Sequence, residues 1–199
     1  MASRPPPDFS AFIAHIAREL TGRQLPFMLI GGQAVLLHGQ PRLTEDIDIT
    51  LGVGPSQLNV LQAVCIALGL EPLPQDVSAF VRDTFVLPAR HPETAIRVDF
   101  IFSTTPYERQ AIERAVMVIL EGVSVPFAAA EDLIIHKLFA GRPRDIEDAV
   151  GVARRQGSAL DWAYVERWAR EFASVPGRDE MPAHVARLKK GNQPQDRAP

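Results

Sequence analysis

The chain has 199 residues, 46% hydrophobic and 23% charged, with a formal net charge of −3. That balance fits one globular domain or a compact pair and excludes a global positive field of the kind that draws nucleic acid, although net charge says nothing of local grooves. A single cysteine, Cys65, rules out an internal disulfide framework and suits a reducing cytoplasm, the expected localisation.

From the N-terminus, residues 1–7 read as a disordered leader: Arg4 is not followed by an apolar signal core, and Pro5-Pro6-Pro7 interrupts the segment. Asp8 or Ser10 can cap a helix reaching about Thr21, with Phe9, Phe12, Ile13, Ile16 and Leu20 as its apolar stripe and Gly22 as its stop. The run Phe27-Met28-Leu29-Ile30 reads as a buried strand ended by Gly31-Gly32. A helix over 33–38 follows, stopped by Gly39 and Pro41. A second strand covers 47–51, and Ser56 can cap a helix to about Leu68, which places Cys65 on a buried face.

Residues 77–87 and 94–103 both alternate like strands. In the second, Ile96, Val98, Phe100 and Phe102 share one face and Arg97, Asp99 and Ile101 the other, with His91-Pro92-Glu93 as the turn between the two strands. A helix near 106–112 and a strand-like pair near 115–127 complete an α/β (α+β) unit over 8–128. Helices over 130–140, 144–156 and 161–173 form a small C-terminal helical lobe, 129–175. The tail, 176–199, reads as loosely ordered apart from a short helix around 184–190. No run approaches ~18 consecutive apolar residues, so no membrane span is expected.

Two features carry chemistry. A strand ending in Gly-Gly and opening a helix leaves bare N–H groups at a helix N-terminus, an anion site that glycine lets a phosphate approach closely. Asp46 and Asp48, at i and i+2, project from one face of a strand whose Ile47 and Ile49 face the core. Asp99 sits likewise in an apolar strand. Carboxylates held on core strands are costly unless paired or metal-bound, and converging hard oxygens suit Mg²⁺, with Mn²⁺ as an alternative. Arg97, on the face of Asp99, either touches phosphates or balances the acids.

Leu29-Ile30-Gly31-Gly32, thirteen intervening residues and Asp46-Ile47-Asp48-Ile49 resemble the signature of the polymerase-β-like nucleotidyltransferase superfamily. Gly31 to Gly39 with Arg42, Thr44 and Asp46 resembles the minimal nucleotidyltransferases and AbiEii-type toxins. So does the later block from Glu131 to Leu138, followed by Gly141-Arg142-Pro143-Arg144-Asp145-Ile146-Glu147-Asp148. The resemblance covers about residues 25–150. It implies a nucleotidyltransferase-like mixed β-sheet flanked by helices, and Mg²⁺-dependent transfer of a nucleoside monophosphate from an NTP with release of pyrophosphate. It further implies Asp46, Asp48 and Asp99 as catalytic metal ligands, and Gly31, Gly32, Thr44, Lys137 and Arg144 as nucleotide-binding residues. Arg97 and Asp145 support them, Asp145 by orienting Lys137 or Arg144. One departure stands out: many relatives have serine at the second glycine position, where its hydroxyl helps hold a phosphate, whereas Gly32 offers only an N–H.

Asp145 and Asp148, at i and i+3, are equally well explained as acids favoured at a helix N-terminus. His38 and His136 lack metal-ligand spacing and read as packing residues, as do Trp162, Tyr164 and Trp168. The toxin resemblance makes tRNA or a protein hydroxyl the acceptor and a cognate antitoxin the partner. Two alternatives remain at this level. One is modification of a small molecule, as in the aminoglycoside and lincosamide nucleotidyltransferases, which carry a Trp and an acid soon after the glycines where this chain has Gln33, Val35 and Leu36. The other is a non-catalytic nucleotide-binding scaffold, against which the three intact acids argue.

Overall fold

The computed structural model describes residues 8–192. In chain order the elements are α1 (Phe9–Gly22), β1 (Phe27–Leu29), α2 (Gly31–His38), β2 (Asp46–Leu51), a 3-10 turn (Pro55–Gln57), α3 (Leu58–Ala67), β3 (Glu71–Pro72), α4 (Val77–Thr84), β4 (Val86–Arg90), β5 (Arg97–Phe102), α5 (Pro106–Glu113), β6 (Val116–Leu120), β7 (Val123–Phe127), α6 (Ala130–Ala140), α7 (Pro143–Gln156), α8 (Trp162–Phe172) and α9 (Met181–Gly191). The strands form one mixed sheet in the order β3-β4-β5-β2-β1-β7-β6. Strands β2 and β5 are parallel, as are β1 and β7; the other pairs are antiparallel. This is the expected mixed α/β architecture.

Two compact units emerge. One takes the described residues of Met1–Gln33 together with Leu43–Ala128, and the other takes Ala34–Arg42 with those of Ala129–Pro199. The sheet unit is built on β2 and its neighbours. Ile47, Ile49, Leu51, Val98 and Phe100 are fully buried, the strand positions the alternation assigns to the core. Ile16 and Leu20 of α1 and Leu61 and Val64 of α3 are buried as well, with α1 lying against α3 and β7. Asp8 caps α1, its carboxylate accepting from Ala11 N at 3.1 Å. In the helical unit, the segment 34–42 is tied to α7 by two side-chain donors. Arg155 Nη1 donates to Gly39 O at 2.6 Å and Gln156 Nε2 to His38 O at 3.0 Å. These long-range bonds put a stretch adjoining the glycine turn with helices more than a hundred residues later.

Three local expectations change. Residues 77–84 form helix α4, not a strand: Asp76 accepts from Ala79 N at 2.9 Å as an N-cap, and the chain leaves the helix through Phe85 at φ 58°. Val77, Phe80 and Val81 satisfy helical spacing as well as Phe80, Arg82 and Thr84 satisfy alternation, and the cap decides between them. Strand β4 begins only at Val86. Ser56 does not cap α3, which is entered through the 3-10 turn. The tail, expected to be loosely ordered, carries the three-turn α9, which buries Met181, Val185 and Leu188 at i, i+4 and i+7. The predicted leader, 1–7, and the last residues of the tail, 193–199, lie outside the described residues. Among the described residues, no helix is long and apolar enough to cross a membrane.

Candidate active site

The acidic face of the sheet unit follows from strand register. Asp46 lies opposite Arg97, and Asp48 opposite Asp99, across the parallel β2–β5 pair. Neighbouring strands are about 4.8 Å apart, and residues paired in register point to the same side. Three carboxylates and one guanidinium therefore share one face, while Ile47 and Val98 point into the core. Asp46 is exposed; Asp48, Arg97 and Asp99 are half-buried. Arg97 Nε donates to Asp99 Oδ1 at 2.9 Å. That hydrogen bond, reinforced by the charges of Asp99, Asp46 and Asp48, raises the pKa of Arg97 above its ordinary value. Arg97 is thus ion-paired with an acid of this face.

The glycine turn abuts these acids. Gly31 has φ +61°, and a Cβ placed on it would fall 1.8 Å from Asp48 Oδ2. Ile30 N donates to Asp48 O at 2.9 Å, clamping the turn to β2. Gly32 is equally crowded, with a Cβ there falling 2.2 Å from Thr44 Oγ1. Gly31, Gly32, Thr44, Asp46, Asp48, Arg97 and Asp99 are thereby gathered at one end of the central strands. Gly31→Ala is expected to cost about 1–2 kcal/mol for its left-handed backbone alone, and more because the new methyl must displace the Asp48 carboxylate. Thermal denaturation together with nucleotide titration would register both losses; an unchanged melting temperature would contradict the crowding.

The donor set fits a hard divalent cation. It is all oxygen, it lies on one strand face, and two of its members are in register. Among the described residues, no three acidic, histidine or cysteine side chains are already drawn together as a metal cluster. The Arg97 hydrogen bond holds Asp99, and a cation would have to compete with that guanidinium for the carboxylate.

The helical unit carries a second charged group. Lys137 is buried, and its Nζ lies 2.9 Å from Asp145 Oδ1 and 2.8 Å from Asp148 Oδ2. Arg42 grips Asp148 with two parallel bonds, Nε to Oδ1 and Nη2 to Oδ2, both 2.9 Å, the planar fork for which arginine is suited. Arg142 Nε donates to Asp145 Oδ2 at 2.6 Å. Burial pushes both aspartates up, but the bonds from Lys137 and Arg142 to Asp145, and from Arg42 and Lys137 to Asp148, outweigh it and hold both below the usual carboxylate range. Asp145 is paired with Lys137 and with Arg142; Arg144 is exposed on the first turn of α7. Asp148 and Arg42, absent from the sequence-based list of site residues, are integral to this cluster. Their only sequence signals are the i,i+3 spacing of the two aspartates and the Arg-x-Thr stretch ahead of Asp46.

Neighbouring polar groups serve packing. His136 is half-buried, and desolvation, followed by the Lys137 charge, lowers its pKa to about 4, so it is neutral at pH 7. Tyr164 Oη donates to the fully buried Asp132 at 2.7 Å. Burial pushes the Cys65 thiol up to about 12, which makes it an inert core residue.

Residues 16–196 match the family model described as nucleotidyl transferase AbiEii toxin, Type IV TA system. The chain belongs to this family. It is accordingly a nucleotidyltransferase. Solved structures agree on the fold. An antigenic nucleotidyltransferase-like protein from Paracoccidioides brasiliensis is 15% identical, with a TM-score of 0.52 over 88% of this chain and 92% of its own. The antibiotic-resistance factor ANT(2'')-Ia is 16% identical, with a TM-score of 0.54 over 92% of this chain and 95% of its own. The lincosamide antibiotic adenylyltransferase LnuA, solved with lincomycin, is 14% identical, with a TM-score of 0.51 over 75% of this chain and 98% of its own. At such identities the likeness establishes the architecture of this AbiEii-family enzyme, not its acceptor. No curated protein matches the chain.

Proposed function

We propose that this AbiEii-family enzyme transfers a nucleoside monophosphate from an NTP to tRNA or to a protein hydroxyl, using Mg²⁺, or Mn²⁺ in its place, held by Asp46, Asp48 and Asp99. The observation that carries this reading is the contact of the Gly31 turn with Asp48, itself in register with Asp99. It puts the glycine turn, which this reading takes as the phosphate cradle, against an acidic pair. A metal held by these acids would supply positive charge to offset the charge developing on the phosphates.

The chain's own groups do the rest. N–H groups at the start of α2 hold the β- and γ-phosphates. Asp99 takes the proton of the acceptor hydroxyl as its oxygen bonds to the α-phosphorus, and the bond to the β-phosphate oxygen breaks to release pyrophosphate. Arg97 keeps Asp99 aimed and offsets the acidic charge. In the helical unit, Lys137 keeps the role of phosphate or sugar contact that the resemblance implies, and exposed Arg144 is open to meet phosphate. The toxin–antitoxin family makes a cognate antitoxin the expected counterpart, and the reaction is assigned to the cytoplasm.

The test is incubation with each labelled NTP, Mg²⁺ and total cell extract, resolving RNA, protein and small molecules. Label on a tRNA or a protein band is the expected result. Label confined to the small-molecule fraction would transfer the assignment to the class of LnuA and ANT(2'')-Ia, and no label anywhere would overturn it. A simpler measurement precedes it. With Mg²⁺ and a binding NTP at about a hundred times its Kd, the protein should gain about 2.7 kcal/mol of stability, seen as a higher melting temperature and abolished by EDTA.

A further inference from the structure

The reading of the glycine turn as an NTP site leaves one oddity: the residue after Gly31 has no side chain, yet its side-chain space is full. A Cβ on Gly32 would stand 2.2 Å from Thr44 Oγ1, 2.7 Å from Thr44 Cβ and 3.3 Å from Thr44 Cγ2. These separations are too short for both side chains to coexist. In a helix every Cβ tilts toward the N-terminus, so this volume lies on the side to which the first N–H groups of α2 point. A hydroxyl brought by the loop ahead of β2 therefore sits where a side chain at 32 would meet a phosphate. Thr44 is half-buried, and Oγ1 has one long hydrogen bond, 3.4 Å to Asp46 O. Its proton is easily redirected.

We propose that Thr44 is the phosphate-binding hydroxyl of this enzyme. Gly32 and Thr44 act as an interlocked pair, with glycine required at 32 because the hydroxyl arrives from 44. On this assignment Thr44 Oγ1 donates to a β- or γ-phosphate oxygen beside the α2 N–H groups. The absence of serine at 32 is then an exchange of one hydroxyl for another. The proposal rests on the nucleotide-site reading and specifies one contact within it.

Calorimetry on the full chain tests it, using Mg²⁺ with ATP, CTP, GTP, UTP or inorganic tripolyphosphate. Thr44→Val keeps the shape and removes the hydroxyl. It should weaken every NTP that binds the wild type, and tripolyphosphate as well, by roughly tenfold to a hundredfold, the range for a hydrogen bond to a charged group. Its unliganded melting temperature should not change. Thr44→Ser should bind within a few-fold of wild type. Gly32→Ser should bind poorly because it displaces Thr44, and Gly32→Ser combined with Thr44→Gly should recover much of the loss. Wild-type affinity in Thr44→Val overturns the proposal, as does a loss confined to NTPs with tripolyphosphate unaffected, which would move the contact to sugar or base. A wild-type protein that binds none of the four NTPs sinks the underlying nucleotide-site reading instead. Should the glycine variants not fold, the Val and Ser variants still decide.

Discussion

Asp48→Asn is expected to lower nucleotidyl transfer by about 10²- to 10³-fold or more while leaving the protein folded. The magnitude is that of removing a fixed charge from the point where charge develops in the transition state. The fold should survive because asparagine is isosteric, and the space between Asp48 and the Gly31 turn cannot take a larger group. Stability should stay level, since asparagine keeps the volume that the Gly31 turn leaves for this side chain. Three measurements separate a catalytic effect from a structural one. The melting temperature without ligand should be unchanged, the Mg²⁺-dependent stabilisation by NTP should shrink, and the turnover should collapse. Asp46→Asn should behave alike. Wild-type turnover in either variant would remove the acidic pair from the chemistry.

The parts of this site that were legible in the sequence are those fixed by local periodicity. Alternation with Ile47, Ile49 and Leu51 set Asp46 and Asp48 on one face, and the same rule placed Arg97 beside Asp99. Register was not legible. The opposition of Asp48 to Asp99 depends on two strands pairing across about a quarter of the chain, and no local pattern encodes it. The contact of Gly32 with Thr44 was hidden for the same reason, and so the missing serine looked like a loss. The Arg42–Asp148 fork spans 106 positions. Sequence marked Asp148 only as an acid near a helix start, a position such residues often occupy for the helix dipole alone. At 77–84 the failure had a different cause: both periods fit, and the Asp76 cap settled the matter.

Lys137→Met should destabilise the protein by about 1–3 kcal/mol, less than stranding a buried charge outright, because Arg142 and Arg42 still pair with the two aspartates. Lys137 is placed against both Asp145 and Asp148, and all three groups are buried. Methionine matches the length of the stem but leaves Asp145 with Arg142 and Asp148 with Arg42. The pH dependence identifies the mechanism. Both aspartates have pKa values depressed below 3.8, so their ion pairs stabilise the folded state above the unfolded carboxylate range, and that stabilisation is lost as pH falls through the folded values. The gap in stability between wild type and Lys137→Met should therefore be full at neutral pH and narrow below about pH 4. Denaturant unfolding across pH 3–7 reads this directly. A gap that does not change with pH would mean that lost packing of the lysine stem, not its charge, is responsible. A loss of NTP affinity greater than the loss of folded protein would show that Lys137 also reaches the nucleotide, because a residue that only ties Asp145 to Asp148 would lower both together.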